Sequence, residues 1–432
     1  MPRANALMPI ETMAALRTAE PLALPDRPPG RTPPGRFGES SALDVALHND
    51  LAAVEGEWRQ FERTADCTPF QQFDWLAAWH RQIGARDGVL PVIALVRHAG
   101  GELACIWPLA VVASRLGRKL CWLGQGLCDY NAPLLARDFP QRVTADRFVA
   151  AWHGLRCRLQ EQAPTRHHVV NLEQMPECVG GQINPFTSLD VALNASGAHW
   201  TRLGADWQKF YAEKRSSATR RCDRAKIRHM SRYGEIRFVN CIEPEDLRRT
   251  LDVLIEQKAR WLAGIGAADL FRRPGLREFL FDLASNRSAG HFVHISRIDI
   301  GPVCMAANLG LVLGDCYYHV LTSYDRDLEA SRYGPGTLHL RKLMEHAISL
   351  GLRRFDFTVG DEPYKREWAD RTLKLFDHTT AATWTGGPAA RILDVRRRLK
   401  RAIKQSPLLW PLLYRLRAAA LGRRSGKTGS AA

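Results

Sequence analysis

The sequence predicts an α/β protein built from two related halves, and three observations lead to this fold class. The chain has 432 residues, 45% of them hydrophobic and 25% charged, which is enough to bury a core in each of two domains. Segments with strand and helix patterns follow the order β-α-α-β-β-β-α-β twice. The period of about 190 residues is too long for a solenoid repeat and is typical of a duplicated α/β domain.

The first half is predicted to cover 41–200 and to follow a disordered leader. Residues 1–40 end in DRPPGRTPPGRFGES, where proline removes helix hydrogen bonds and glycine raises the entropy cost of ordering. The segments of the half are a short apolar run at 43–47, helices at 50–64 and 71–84, the strands PVIALVRH, ELACIWPLAVVA and RKLCWLG, a helix at 143–162 and the strand HHVVNLE.

The second half is predicted to cover 201–386 and repeats that order after a basic helix at 204–233. Its segments are the strand EIRFVN, helices at 244–262 and 275–288, the strands HFVHISRID, PVCMAANLGLVL and DCYYHVLT, a helix at 337–350, the strand RRFDFTV and a last strand in LKLFDHTTAATW. The helix at 337–350 should bury one face made of Leu340, Leu343, Met344, Ala347 and Ile348.

Positive charge is concentrated in a tail at 387–432. Residues 391–432 hold 12 Lys/Arg and one acid, so they carry +11 of the net charge of +16. Ile392, Val395, Leu399 and Ile403 fall on one helical face opposite basic residues, and PLLWPLLYRL follows. This pattern predicts that 391–420 lies on an anionic membrane surface, and docking on the body of the protein is the alternative.

The basic helix at 204–233 has several interpretations. It could contact the phosphates of RNA, of CoA or of an anionic acceptor, or it could be a solvated linker between domains. Because the chain has no RNA-binding motif, we do not expect nucleic acid as a partner.

Several protein classes are excluded by missing patterns. The ten cysteines occur singly, without a C-x-x-C pair, and we interpret them as buried thiols in a reducing cytoplasm. No H-E-x-x-H, G-x-S-x-G or Walker motif is present, so we expect no metal site, no serine esterase and no ATPase. Without a signal peptide or an apolar run of roughly 18 residues, the protein is expected in the cytoplasm, peripheral on the inner face of the cytoplasmic membrane.

A glycine-containing loop, Ser331-Arg332-Tyr333-Gly334-Pro335-Gly336-Thr337, lies between a predicted strand and a predicted helix. Glycine lets the backbone approach a ligand, and a helix N-terminus offers unpaired N–H groups, which are the requirements for holding a pyrophosphate. The loop follows three strands and lacks a third glycine, which argues against a Rossmann site. A tight turn that caps a helix is the alternative interpretation.

Candidate proton-transfer groups occur in FDFTVGDEPYKREW, residues 355–368. Asp356 lies between two aromatic residues on a strand predicted to be internal, so it needs a hydrogen-bonding partner or a functional role. Asp361, Tyr364 and Lys365 follow the strand and would gather at one sheet edge. Solvated loop charges are expected at Glu362, Arg366 and Glu367.

These motifs carry a family resemblance. The run from Ala306-Ala307-Asn308 through Tyr318, Tyr324-Asp325 and Gly334-Pro335-Gly336 to FDFTVGDEPYKREW resembles the C-terminal domain of bacterial CelD-type proteins, acyltransferases of the Gcn5-related N-acetyltransferase (GNAT) fold associated with cellulose and other exopolysaccharide biosynthesis. The resemblance covers about 200–385, and duplicated halves are found in the related Fem-type peptidyl transferases. It implies two tandem GNAT-like domains, each a mixed, mostly antiparallel sheet flanked by helices, of which the first is a degenerate copy that shapes the acceptor cleft.

The resemblance also implies acyl-CoA, in particular acetyl-CoA, as co-substrate. Gly334 and Gly336 would take the place of the pyrophosphate loop, with Arg332 near its usual basic position, and Pro335 and Thr337 complete this expected CoA-binding set. The pair Tyr364-Lys365 would lie near the acceptor.

We therefore expect an acyl-CoA-dependent N- or O-acyltransferase that acts on a cell-envelope, polysaccharide or small-molecule acceptor. Asp356 or Asp361 would assist deprotonation of the acceptor, Tyr364 would protonate the leaving thiolate or orient the acceptor, and Lys365 would bind a phosphate or carboxylate. Two alternatives stay open. One is an aminoacyl-tRNA-dependent Fem-like transferase that uses the basic helix, and the other is a catalytically silent scaffold in exopolysaccharide synthesis.

Overall fold

The computed structural model describes residues 43–265, 270–286 and 292–406. The predicted leader at 1–40 and the PLLWPLLYRL segment of the tail lie outside the described residues. The described residues belong to one compact unit.

The part of the chain up to residue 202 alternates strands and helices as predicted. Its elements are β1 (Asp44–His48), α1 (Glu55–Glu62), α2 (Phe73–Trp79), β2 (Leu90–Arg97), β3 (Leu103–Ser114), β4 (Gly117–Trp122), β5 (Leu134–Leu135), α3 (Phe139–Arg142), α4 (Ala145–Glu161), β6 (Val169–Pro176), β7 (Cys178–Val179), β8 (Gln182–Ile183), β9 (Val191–Leu193) and β10 (Ala198–Arg202).

The remainder repeats the order and ends in a helix. Its elements are α5 (Trp207–Lys214), α6 (Ser217–Met230), β11 (Ile236–Cys241), α7 (Pro244–Gly264), α8 (Leu276–Ser285), β12 (Val293–Ile300), β13 (Val303–Leu313), β14 (Cys316–Tyr324), α9 (Pro335–Ser349), β15 (Arg354–Val359), α10 (Pro363–Trp368), β16 (Arg371–Leu373), β17 (Leu375–Ala381) and α11 (Gly387–Gln405). The five apolar residues predicted for the inner face of α9 are all buried.

Two large mixed sheets confirm the predicted fold class. The first has the strand order β1-β2-β3-β4-β6-β17-β9, with β5 beside β3, and the second has the order β11-β12-β13-β14-β15-β10-β16. Pairing is antiparallel except between β4 and β6 and between β14 and β15. Each sheet is thus mostly antiparallel with one parallel pair, and helices flank both.

The two halves exchange strands, which corrects one prediction. LKLFDHTTAATW, predicted as the last strand of the second half, forms β17 and pairs with β6 and β9 of the first sheet. In return, β10 begins in the predicted first half and crosses the boundary at 200, but it pairs with β15 and β16 of the second sheet. Periodicity shows which residues form a strand but not which sheet edge accepts it, so this exchange could not be predicted.

The basic helix predicted at 204–233 is interrupted, which is a second correction. Arg215 is extended, with φ −132° and ψ 128°, and separates α5 from α6. The Ser216 hydroxyl then accepts a hydrogen bond from the Thr219 amide and caps the start of α6. Serine at this position satisfies one of the unpaired amides of a new helix, which favours the break.

Helices α2 and α8 join the halves through a tight contact. The rings of Trp75 and Phe279 meet edge to face with centroids 5.1 Å apart, inside a core that contains residues of both halves. Gly275, just before α8, has φ +85°, and a Cβ at this position would lie 1.9 Å from the Gln82 carbonyl oxygen. Only glycine permits this approach, so the close contact between Gly275 and Gln82 helps to determine how the two halves pack.

All ten cysteines lie in the described residues and are free thiols. Six are buried as predicted, whereas Cys67 is half-buried and Cys157, Cys178 and Cys222 are exposed. The exposed three correct the prediction, because they lie on the outer faces of α4, β7 and α6, where no second layer covers them.

Candidate active site

Strands β14 and β15 pair in parallel and then separate, which opens a wedge in the second sheet. Backbone pairing runs from Cys316–Arg354 to Tyr318–Asp356 and stops there, although β14 continues to Tyr324 and β15 to Val359. Beyond the last pair, the Thr358 hydroxyl donates to the His319 carbonyl across the gap (3.2 Å). At the end of β15, Lys365 Nζ of α10 donates to the Val359 carbonyl (2.7 Å).

Thr358 marks the wedge with an unusual backbone conformation. Its φ is +58°, in the left-handed region that β-branched residues rarely adopt. Such conformations cost on the order of 1–3 kcal/mol and cluster at functional sites. Here the conformation aims the Thr358 amide at Asp356 Oδ1, 2.7 Å away.

Asp356 lies at the last paired position of the wedge and finds its partner in the first half. The Tyr130 hydroxyl donates to Asp356 Oδ1 across 2.7 Å, which supplies the hydrogen bond that a carboxylate on an internal strand requires. Burial raises the pKa of Asp356 to about 6, and the bonds from Tyr130 and the Thr358 amide offset part of this rise.

A second carboxylate, Asp129, reaches the wedge from the first half. Burial raises its pKa to about 6, although the Thr358 hydroxyl and the charge of Lys365 act in the opposite direction. Burial lowers the pKa of Lys258 on α7 to about 8, where the nearby Glu362 opposes the change. Carboxylates and an amine whose pKa values approach neutrality are typical of proton-transfer sites.

His319 on β14 borders the same cluster as a neutral group. Burial lowers its pKa to about 3, and the positive charges of Lys365 and Lys258 lower it further. The imidazole is therefore uncharged at pH 7 and can accept or donate a hydrogen bond without a change of charge.

The structure brings three of the four predicted catalytic residues toward this cluster. Lys365 is buried, and its Nζ lies 3.2 Å from Glu362 Oε2. Burial raises the pKa of Tyr364, and the negative charges of Glu362 and Asp129 raise it further, so the phenol stays protonated. Together with Asp356, these side chains surround the open end of the wedge, whereas Glu362, Arg366 and Glu367 are exposed as expected.

Asp361, the fourth predicted catalytic residue, faces elsewhere. Its Oδ1 lies 3.5 Å from His199 Nε2, and it lines a cavity of about 740 Å³ together with Arg401 and Lys404 of α11. Burial favours the neutral form of Asp361, but hydrogen bonds from His199 and the Gly197 amide lower its pKa overall. It is therefore held as a carboxylate on a different surface from Asp356.

A cavity between the halves gives access to Asp356. It measures about 430 Å³, and Glu62, Cys67, Tyr130, Trp200 and Tyr318 are among its lining residues. Burial raises the pKa of Glu62 to about 7, while the Phe73 amide and Arg59 act to lower it. The cavity thus carries two carboxyl groups that ionise near neutral pH.

Sequence reasoning did not select Asp129, Tyr130, Lys258 or His319. The segment Asp129-Tyr130-Asn131 follows Gly124-Gln125-Gly126, and this glycine pair next to an acid is the one signal that the sequence carries. The proximity of Asp129 and Tyr130 to the wedge depends on how the halves pack, which residue spacing does not encode.

The glycine-containing loop forms the start of α9, as predicted. Gly334 is the N-cap residue with φ +76°, and a Cβ at Gly336 would lie 3.1 Å from the Tyr324 ring. The amides of Thr337 and Leu338 both donate to the Gly334 carbonyl, and Pro335 has no N–H, so the Gly336 amide remains in the first turn for a ligand. Arg332 is exposed and forms an ion pair with Glu329 (2.9 Å).

Helix α6 packs against this loop, so its basic side chains lie close to the start of α9. The His229 and Tyr333 rings stack with centroids 5.0 Å apart, and Arg341 of α9 pairs with Asp223 (2.8 Å). The exposed basic residues of α6 and the turn that follows it are Arg221, Arg224, Lys226, Arg228 and Arg232. A positive surface beside a helix N-terminus attracts phosphate groups.

Comparison with known proteins agrees with this geometry. Residues 217–366 match the family model of an acetyltransferase (GNAT) domain, a range that contains α6, the wedge, the α9 loop and most of α10. No curated protein matches the chain. The second half therefore has a GNAT-like fold, and the order of elements repeats in the first half.

Solved structures resemble the whole two-sheet arrangement. The chain is similar to FemX, with a TM-score of 0.51 and 8% identity over 81% of this chain and 100% of that chain. It also matches a conserved protein of unknown function from Bacteroides thetaiotaomicron (TM-score 0.48, 10% identity, 77% of this chain and 99% of that one) and a tandem GNAT protein from the clavulanic acid biosynthesis pathway (0.46, 11%, 79% and 99%). At this identity the FemX match establishes a shared fold alone.

Within the described ranges, no three His, Cys, Asp or Glu side chains are grouped so that they could hold a metal ion. Of the helices described, none is both long and apolar enough to cross a membrane.

Proposed function

We propose that the protein is an acyl-CoA-dependent N- or O-acyltransferase, with acetyl-CoA as the simplest donor. The wedge between β14 and β15 carries this proposal. The ends of its two parallel strands lead into the Gly334–Thr337 loop on one side and into Tyr364 and Lys365 on the other. A helix start that would bind phosphate and side chains that would transfer protons therefore lie at the same end of the two strands.

The donor would lie along the wedge. Its pyrophosphate would be held by the Gly336 amide and the α9 dipole, with Arg332 and the basic residues of α6 as further cations. Backbone amides at the separated strand edges would polarise the thioester carbonyl.

The acceptor amine or hydroxyl would attack the thioester carbon directly. Asp129 or Asp356, each with a pKa of about 6, is a carboxylate at pH 7 and would take the acceptor proton. As the C–S bond breaks, Tyr364 would donate its proton to the leaving thiolate. Lys365 would bind a phosphate or a substrate carboxylate beside them, and the 430 Å³ cavity between the halves would admit the acceptor.

The acceptor class follows from the CelD-type resemblance rather than from the site. We propose that the acceptor is a cell-envelope component, a polysaccharide or a small molecule. The reaction would take place in the cytoplasm and contribute to exopolysaccharide synthesis.

Thermal unfolding with acetyl-CoA tests the donor. Because a ligand stabilises the protein according to site occupancy, millimolar acetyl-CoA should raise the Tm of the parent protein. Gly336→Leu should abolish this rise, whereas Gly154→Leu, at an open position on α4, should keep it. Circular dichroism checks that both variants are folded. Absence of a rise in the parent would overturn the acyl-CoA proposal and favour the silent scaffold.

One observation supports a second candidate, an aminoacyl-tRNA-dependent transferase. The basic residues of α6 are held beside the start of α9, where they could bind the phosphates of a tRNA donor. RNA that copurifies with the parent protein but not with an Arg224→Glu/Arg228→Glu variant would favour this donor. A protein free of RNA that responds to acetyl-CoA would exclude it.

A further inference from the structure

Helix α11 contacts the body of the protein through a face that includes Arg401 and Lys404. Arg401 Nη1 donates to the Leu193 carbonyl (3.4 Å), and Lys404 Nζ donates to Ser196 Oγ (2.5 Å). A surface helix of a globular protein normally turns its apolar stripe inward and its charges outward. The inward face of α11 combines the buried Ala389 with these two cations, whereas a second apolar side faces outward and needs another explanation.

Three of the four residues predicted for the apolar side of α11 are exposed, and the fourth, Ile403, is partly buried. Ile392, Val395 and Leu399 are 51%, 57% and 58% exposed and follow each other at helical spacing; we call them the outer stripe. Trp384, three residues before the helix, is 91% exposed. Large apolar side chains this exposed, on one face and next to a tryptophan, are typical of a surface that inserts into a membrane interface.

Basic residues flank the outer stripe on both sides. At 100° per residue, Arg391 and Arg398 fall on one side of it, and Arg396 and Lys400 on the other, and all four are exposed. Among the described residues, Arg398 is the member of this group that has an acidic partner, Asp394, at 2.8 Å. An apolar centre between two cationic borders matches the layers of an anionic lipid surface.

We propose that α11 docks the protein on an anionic membrane, with the outer stripe in the interface and the flanking cations against the headgroups. Two other occupants of the outer stripe would be the terminal segment 407–432 and a second copy of the protein, and charge favours lipid over both. The segment 407–432 contains five Arg/Lys and no acid, and a second copy of α11 would present the same cations. Either of these would bring like charges together, whereas anionic lipid neutralises them. The proposal goes beyond acyl transfer and does not depend on it.

Vesicle cosedimentation of the full-length protein tests this inference. The probes are vesicles of phosphatidylglycerol mixed with phosphatidylcholine, and vesicles of phosphatidylcholine alone. The parent should bind the first and not the second, and binding should weaken as salt shortens the Debye length from about 10 Å at 0.1 M to about 3 Å at 1 M. Ile392→Asp/Leu399→Asp should weaken binding at least about tenfold, because two apolar contacts are lost.

Two control variants add the same two negative charges as Ile392→Asp/Leu399→Asp, which we call the stripe variant. Ile242→Asp/Leu350→Asp alters exposed apolar residues elsewhere and should leave binding unchanged. Trp410→Asp/Leu413→Asp places the same charges in the terminal segment and should weaken binding less than the stripe variant does. Circular dichroism shows whether each variant is folded.

Full binding by the stripe variant would overturn the proposal, whatever the other variants do. So would binding lost only in the terminal-segment variant, since that segment would then be the anchor. If sedimentation velocity instead shows a parent dimer that the stripe variant converts to a monomer, without vesicle binding by either, the occupant is a second copy and the proposal is wrong.

Discussion

Replacing Asp129 by Asn should stabilise the protein at alkaline pH while it impairs catalysis. Burial raises the pKa of Asp129 from an ordinary 3.8 to about 6, so the fold favours the protonated carboxyl group. A group whose pKa is raised by folding contributes stability below its unfolded pKa and loses it as pH rises through the folded pKa. The ionised Asp129 therefore costs stability above pH 6, and Asn, which is never charged, avoids that cost.

The size of the effect follows from the shift. Two pKa units correspond to about 3 kcal/mol, and partial exposure of the side chain makes this an upper figure. The difference in free energy of unfolding between Asp129→Asn and the parent should grow between pH 4 and pH 6 and stay constant above. Asn has nearly the same shape as Asp and keeps a carbonyl oxygen that can accept a hydrogen bond, so the substitution removes mainly the charge.

Guanidinium unfolding at pH 4 and pH 8 measures this difference, with Asp190→Asn at an exposed position as the matched control. The control should show no difference at either pH. If Asp129→Asn is less stable than the parent at pH 8, or if its effect does not change with pH, Asp129 is not a destabilised buried carboxylate and its role as a base loses its physical support.

Two further predictions concern the acid and the packing of the halves. Tyr364→Phe should lower kcat about a hundredfold or more and leave the acetyl-CoA-induced rise in Tm unchanged, because the phenol acts on the leaving group; an equal loss of donor binding would show that Tyr364 holds the donor instead. Gly275→Ala should lower the Tm much more than Gly101→Ala, since both glycines have φ near +86° but only the Cβ at 275 would meet the Gln82 carbonyl, whereas that at 101 meets open space. Equal Tm losses would mean that backbone strain, not the contact between halves, governs position 275.

The sequence predicted the local elements and the α9 loop because each depends on neighbouring residues. The apolar spacing of Leu340, Leu343 and Ala347 is enough to define the inner face of α9. Gly334 and Gly336 lie at the N-cap and in the first turn of that helix. The break of the basic helix also left a signal, since Ser216 is a favourable N-cap in an otherwise uniform basic run.

The strand exchange and half of the candidate site depend on contacts distant along the chain. Asp356 on β15 could be singled out as a buried acid, but its partner Tyr130 precedes it by 226 residues. Asp361 was predicted to gather with Tyr364 and Lys365 at one sheet edge. It instead lies beside His199, because β10 enters the second sheet next to β15. The spacing of residues within one half cannot show which residues of the other half lie in the candidate site.

Hydrogen–deuterium exchange with and without acetyl-CoA tests the central claim most directly, because it locates the donor on the chain. Acetyl-CoA should slow exchange at the start of α9, at 334–338, and at the separated strand ends, 319–324 and 357–360, while β2, β3 and β4 of the first sheet stay unchanged. Slowed exchange confined to the first sheet, or none anywhere in the second, would contradict the assignment of the wedge as the acyl-donor site.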